Sequence, residues 1–383
     1  MGLSRAIDLA LRRTGLLGRM QEVWRRDVDR ASSKLRRDAG ADLNRIQKSM
    51  RALGKGVAAG RSRVHALEQR LEGAERTLAT MNGARVKALE RSVAQLVLAS
   101  NVNDRQAHLL TRFGSRIVPS DVLAHITGAA LAAQLDPFPC AHLVIDQVFP
   151  ADFYELLVES LPAPEFFPSR DPIKMNLRPS HFKVVPALTR RAWEFIDADV
   201  TRTITAVALP RLRPYLRGRY GAMFGPANAD ATVALPHRAF GGRIMLRRPG
   251  YLQKPHLDPK RSSATVLIYV ARPGDPEGVG TALYALSGPV SPVRTSTYYP
   301  EDDGITCTPV KHVPFRPNTA VVFVNADGAH GAEISEDSAP EGFQRYAFMY
   351  YIGPDVPELL RLVSRLSAAD QQGWLGLAEW SDD

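Results

Sequence analysis

The sequence predicts an α+β chain whose two kinds of structure are segregated, with a helical, partly coiled-coil N-terminal region ahead of a β-rich domain. Two censuses and one pattern carry that reading. All 28 prolines lie at or after Pro119, so the first 118 residues lack the residue that most disrupts helices. Residues 1 to 116 hold 24 Lys+Arg against 11 Asp+Glu, a net of +13, whereas residues 117 to 383 hold 25 against 29, a net of −4. The basic balance of the chain therefore belongs to its first third. Beyond it, β-branched and apolar runs recur with turn residues between them.

Residues 1 to 118 read as a basic helical arm. Leu67, Leu71, Ala74, Leu78 and Met81 follow the spacing of a coiled-coil seam, and after a shift of phase Val86, Leu89, Val93 and Leu96 resume it. This seam predicts a homo-oligomer. Gly40, Gly54, Gly56 and Gly60 divide the earlier part into pieces. In the first 28 residues Leu3, Ile7, Leu11, Leu17, Val23 and Trp24 alternate with Arg5, Arg12, Arg13, Arg19, Arg25 and Arg26, a basic amphipathic pattern suited to an anionic membrane surface. The charge would also suit nucleic acid, but no recognised nucleic-acid-binding motif accompanies it. A solvated oligomerisation stalk and a membrane-surface helix both stay open.

Residues 119 to 140 read as a linker and residues 141 to 356 as the β-rich domain. Residues 263 to 270, 319 to 325 and 345 to 352 read as strands. Residues 289 to 317 read as a long loop turning at Asp302-Asp303-Gly304. After the strands, residues 356 to 366 have helical periodicity with Pro357 at a first-turn position, and Trp374 and Trp380 anchor a polar tail.

Within that domain, Pro255-His256-Leu257-Asp258 carries a metal-ligand spacing. In extended chain, residues i and i+2 point to one side, so the His256 imidazole and the Asp258 carboxylate can converge on one ion. His330, in the exit turn of the strand at 319 to 325, is the third ligand candidate. Two histidines and one carboxylate on one face of an octahedral Fe(II) leave three positions open, enough for a bidentate 2-oxo acid and O2.

With these motifs the chain resembles the Fe(II)/2-oxoglutarate-dependent oxygenases, and within them the prolyl-hydroxylase-like branch. The resemblance covers roughly residues 141 to 354, from the strand-then-helix stretch at 142 to 150 to the Arg345-Tyr346-Ala347 strand. It implies a double-stranded β-helix, a jelly-roll barrel whose open mouth holds the metal. It implies His256, Asp258 and His330 as iron ligands, Arg345 as partner of the distal carboxylate of 2-oxoglutarate, and Tyr269 as a second hydrogen bond to that carboxylate. A guanidinium suits the role, since its planar fork matches a carboxylate bidentately. Tyr269 shares strand parity with Thr265 and Leu267 and faces the barrel interior if they do.

The resemblance further implies the cofactor Fe(II), the cosubstrates 2-oxoglutarate and O2, and hydroxylation of a C–H bond in an organic substrate that the residues do not name. A peptidyl proline, another amino acid, a sugar and a small metabolite all stay open. Retention of a carboxylate at Asp258 argues for hydroxylation over halogenation. Tyr351 stands where nucleic-acid repair oxygenases carry a second arginine, which argues against nucleic acid. The competing reading is a coiled-coil scaffold whose jelly roll is a non-catalytic binding module.

Of the 383 residues, enough for two domains, only two are cysteines, Cys140 and Cys307, far apart and without a CxxC partner. They predict neither a disulfide framework nor a zinc site. With no secretory core or membrane-span run in view, a cytoplasmic protein is expected, possessing an arm that can sit at a membrane surface.

Overall fold

The computed structural model describes residues 60–169, 171–290, 296–368 and 371, together with Arg26 and Lys34. Two compact units divide the chain, Met1–Leu98 and Ala99–Asp383. Within the proline-free stretch, Gly60–Arg116 forms helix α1. In the first unit Val86 and Leu89 are exposed, while Val93 and Leu96 are half-buried. The basic pattern of residues 1 to 28, Gly40, Gly54 and Gly56, and the side chains of Leu67, Leu71, Ala74, Leu78 and Met81 lie outside the described residues, as do Trp374 and Trp380. No helix among the described residues is long and apolar enough to cross a membrane.

The second unit begins before the proline boundary. Residues 99 to 116 of α1 belong to it: Asn103 Oδ1 accepts the amide of Ala187, Gln106 Nε2 donates to the Glu159 carbonyl, and Phe113 meets Phe153 at 6.3 Å between ring centroids. The stretch read as a linker holds α2, Pro119–Ala132. Pro119 suits a first helical turn, and Val122, Ile126 and Ala130, spaced one turn apart, are all buried. Composition marked where prolines start, whereas packing starts about twenty residues earlier.

Among the described residues eleven strands follow, in two antiparallel sheets. The larger has the order β1-β2-β9-β6-β11-β4-β3 and the smaller β5-β10-β7-β8. Their ranges are β1 Leu135–Asp136, β2 His142–Ile145, β3 Lys174–Leu177, β4 His237–Arg247, β5 Tyr251–His256, β6 Ala264–Tyr269, β7 Thr281–Leu286, β8 Cys307–Val313, β9 Thr319–Val324, β10 Gly328–Ile334 and β11 Arg345–Pro354. From β4 onward the chain passes repeatedly between the sheets, the winding of a jelly roll. Met245, Leu267, Tyr269, Phe323 and Met349 of the larger sheet share one buried cluster with Tyr251, Leu283, Val313 and Ile334 of the smaller. The sheets thus enclose the core between their inner faces.

β6 and β9 are buried along their whole length, as their unbroken β-branched and aromatic runs predict for strands covered on both faces. The cover on the outer face of the larger sheet is helical. Between β3 and β4 lie α4, Ala187–Phe195, and α5, Thr201–Phe224, after α3, Ala151–Glu159. Trp193 of α4 stacks on Phe348 at 5.8 Å, and Tyr350 donates to the Thr201 carbonyl. The loop expected at residues 289 to 317 contains β8, a correction with a visible cause. β8 is the edge of the smaller sheet, its middle is exposed, and Pro309 falls at a register shift. Such a strand lacks a buried face to read.

Candidate metal centre

His256 ends β5, and Leu257 continues extended in an isolated bridge to Tyr298, so Asp258 returns to the same side two residues on. His330 on β10 is the direct cross-strand partner of His256. Their rings lie 4.1 Å apart between centroids. Gly331 allows this approach: a Cβ there would lie 2.8 Å from the Gln253 carbonyl oxygen on β5. Asp258 Oδ1 stands 3.8 Å from His256 Nε2 and Oδ2 stands 3.4 Å from His330 Nε2. All three side chains are buried, and their ligand atoms lie within 4.8 Å of one another.

The hydrogen bonding of the triad is that of donors awaiting a cation. His256 Nδ1 lies 2.9 Å from the Lys254 carbonyl, which places a proton on Nδ1 and turns Nε2 toward Asp258. Burial, reinforced by His256 and opposed by Asp258, lowers the His330 pKa to about 3 and keeps that ring neutral. Burial raises the Asp258 pKa, but His330, His256 and the Thr265 hydroxyl outweigh it and hold the carboxyl below its ordinary range. Two imidazole nitrogens and one carboxylate thus meet at 3.4 and 3.8 Å, longer than well-formed hydrogen bonds. A divalent ion between them answers that arrangement, and the N2O donor set suits Fe(II).

Residues that the motif did not reveal orient the carboxylate. Thr265 donates to Asp258 Oδ2 at 2.6 Å and itself accepts from Asn325 Nδ2 at 2.8 Å. Tyr351 donates to Asp258 Oδ1 at 3.2 Å and accepts from Arg243 at 2.9 Å. Arg243 follows a β4 bulge at Gly241-Gly242, where Gly241 takes φ +67°, the left-handed conformation that glycine tolerates. Thr265 was visible only through its shared parity with Tyr269. Nothing in one sequence ties Asn325 or Arg243 to the site. Behind the ligands, buried Arg219 of α5 donates to the backbone carbonyls of Asn325, Lys260 and Ser262.

The triad opens into a cavity of about 410 Å³ between the sheets. Arg345 lines it from the start of β11 and is buried. Its guanidinium lies 5.2 Å from the Tyr269 ring and 5.1 Å from the Phe315 ring, a Nη reaches the Gly280 carbonyl at 3.4 Å, and Nε has no partner. Tyr269 is fully buried and donates to Thr281 Oγ1 at 2.6 Å. Thr281 lines the cavity while Tyr269 stands behind it against Arg345. The structure therefore brings all five sequence candidates to one cavity, with the Tyr269 hydroxyl one hydrogen bond removed from its wall.

No protein-family model matches the chain, and no curated protein does. Among solved structures it is similar to the non-heme α-ketoglutarate-dependent epimerase SnoN of nogalamycin biosynthesis, at 12% identity over 62% of this chain and 84% of that one, with a TM-score of 0.32. It is similar to a Pseudomonas putida prolyl-4-hydroxylase, at 14% identity over 61% and 99%, TM-score 0.29. It is also similar to Streptomyces hygroscopicus HygX, whose structure holds nickel and 2-oxoglutarate, at 14% identity over 56% and 82%, TM-score 0.31.

Proposed function

We propose that this chain is an Fe(II)- and 2-oxoglutarate-dependent dioxygenase that hydroxylates a C–H bond of an organic substrate. One observation carries the reading: two imidazoles and a carboxylate converge in a cavity whose wall also bears a buried arginine with no acidic partner among the described residues. His256, Asp258 and His330 would hold the iron. Bound there, Fe(II) supplies the redox chemistry that couples oxidative decarboxylation of 2-oxoglutarate to O2 activation.

The protein's own groups bind and orient. Arg345 takes the distal carboxylate as a charge-assisted pair in a wall of aromatic rings, where water competes little. Tyr269 packs against that guanidinium and fixes the Thr281 hydroxyl through its hydrogen bond. Thr265 and Tyr351 hold the two Asp258 oxygens by donation, so the carboxylate cannot rotate freely about the ion. The same reading places the protein in a reducing, cytoplasmic setting, where iron stays ferrous and the two buried, free cysteines stay reduced. For the arm, we propose self-association through the seam of residues 67 to 96, supported by exposed Val86 and Leu89, and contact of residues 1 to 28 with an anionic surface.

The test is anaerobic. With Fe(II) and 2-oxoglutarate the protein should show the weak visible charge-transfer band of the chelate, and His256→Ala and Asp258→Ala should each lose it. Unchanged iron affinity in both variants would refute the ligand assignment. A protein that forms the chelate but releases no succinate with any substrate pool would be a binding module.

A further inference from the structure

The cavity wall carries five cations against one acid among the described residues: Lys174, Arg178, Arg243, Arg247 and Arg345 face it with only Asp258 opposing. Strand geometry makes this a built array. Arg243 and Arg247 share one face of β4, and Lys174 and Asn176 share the matching face of β3. Lys174 is the cross-strand partner of Arg247, and Arg247 is the partner of Arg345. Three cations therefore stand side by side on three adjacent strands, an arrangement that repulsion disfavours in an otherwise stable sheet.

Among the described residues no ion pair joins any of the five to an acid. Asp171, whose charge reaches Lys174 and Arg247, is exposed and accepts the amides of Ile173 and Lys174. Arg247 is only 3% exposed, and while its Nη atoms serve Met175, Leu246 and Asn176, its buried Nε has no partner. Lys174 donates to the neutral Gln253 side chain alone. β3 is the edge of the larger sheet, and Lys174 at its start and Arg178 just past its end are both exposed.

A ferrous ion, Asp258 and a 2-oxoglutarate dianion together carry one negative charge, so a fully loaded site would still leave four of these five positive charges unanswered. Resting on the reading that Arg345 takes the distal carboxylate of 2-oxoglutarate, we infer that Lys174 and Arg178, backed by Arg247 and Arg243, form a second anion seat, and that the substrate carries an oxyanion group. The group is a carboxylate or a phosphate. It docks at the β3 edge, which positions the rest of the substrate inside the cavity toward the triad.

The experiment is a calorimetric titration of the full-length protein, loaded with Ni(II) and saturating 2-oxoglutarate, by inorganic phosphate and separately by acetate, with metal-free protein in parallel to remove binding at the ion. One saturable oxyanion per chain is expected. Its affinity should fall at least tenfold in the Lys174→Gln/Arg178→Gln double variant, whose exposed positions leave the melting temperature unchanged, while 2-oxoglutarate affinity stays within twofold. The tighter of the two probes identifies a phosphoryl or a carboxyl substrate. Oxyanion binding that is absent, that survives the double substitution, or that displaces 2-oxoglutarate overturns the second seat. A chain that binds the oxyanion through Lys174 and Arg178 yet takes up no 2-oxoglutarate would sink the dioxygenase reading, and with it the seat's role in substrate docking, while the anion site itself would stand.

Discussion

At the scale of single residues, Asp258 and Arg345 do different work and should fail differently. Arg345→Ala removes a charge-assisted bidentate contact, a loss of about 2–5 kcal/mol when the partner charge is left buried. Apparent 2-oxoglutarate affinity should fall well over tenfold, with metal binding intact in the same sample. Thr265→Val keeps the volume but deletes the donor to Asp258 Oδ2 and leaves Asn325 Nδ2 only the Ser262 carbonyl at 3.3 Å. Metal affinity, followed by competition with a chelator, should drop by about 10–100-fold. His330 sets the acid limit of the metal-free protein. Its pKa is depressed when folded, so the unfolded chain binds more protons below the ordinary histidine range, and stability falls with decreasing pH. The slope should be about 1 kcal/mol per pH unit between pH 6 and 5, read as a falling melting temperature that added Ni(II) restores.

At the scale of elements, the closeness of β5 and β10 decides whether two histidines can share an ion. Gly331→Ala would drive a methyl into the Gln253 carbonyl and should cost about 1–3 kcal/mol, with a larger proportional loss of metal affinity than of fold. The convergence of His256, Asp258 and His330 was legible because the first two stand at i and i+2 in extended chain and the third follows a recognisable strand. β6 and β9 were legible because both faces of each are buried. Edge strand β8 was not, since exposure removes the alternation that betrays a strand. α5 escaped notice because Pro210 and Pro214 interrupt its pattern, although tertiary packing holds the helix through them. Its Arg219, invisible from spacing, braces the two loops that carry Asp258 and precede His330. Arg219→Met would orphan buried carbonyls and should destabilise by about 3 kcal/mol, lowering metal affinity in a protein that still folds.

At the scale of the whole molecule, the proline boundary and the packing boundary make opposite predictions for truncation. A chain beginning at Ala99 keeps Asn103, Gln106 and Phe113 on their partners and should melt like the second unit of the full protein. A chain beginning at Val118 uncovers Phe153 and leaves the Ala187 amide without its cap, so its melting temperature should be several degrees lower. Both should bind metal, because the triad lies far downstream. The full-length protein should sediment as an oligomer that Leu71 and Leu78 polar substitutions dissociate, and should bind anionic vesicles in a salt-sensitive way that neutralising Arg12, Arg13, Arg25 and Arg26 abolishes. A monomer indifferent to vesicles would defeat both proposals for the arm.

The two histidines ride on the smaller sheet, whereas Thr265, Tyr351 and Arg345, which grip the carboxylate and the cavity wall, belong to the larger one. An ion held between them would act as a rivet through both layers. Amide protons of β5 and β10 should then exchange in a metal-dependent way, opening together in the bare protein and only with global unfolding once the rivet is set. The same coupling would make loss of iron a mechanical event for the barrel, loosening its smaller sheet at the face where a substrate would enter.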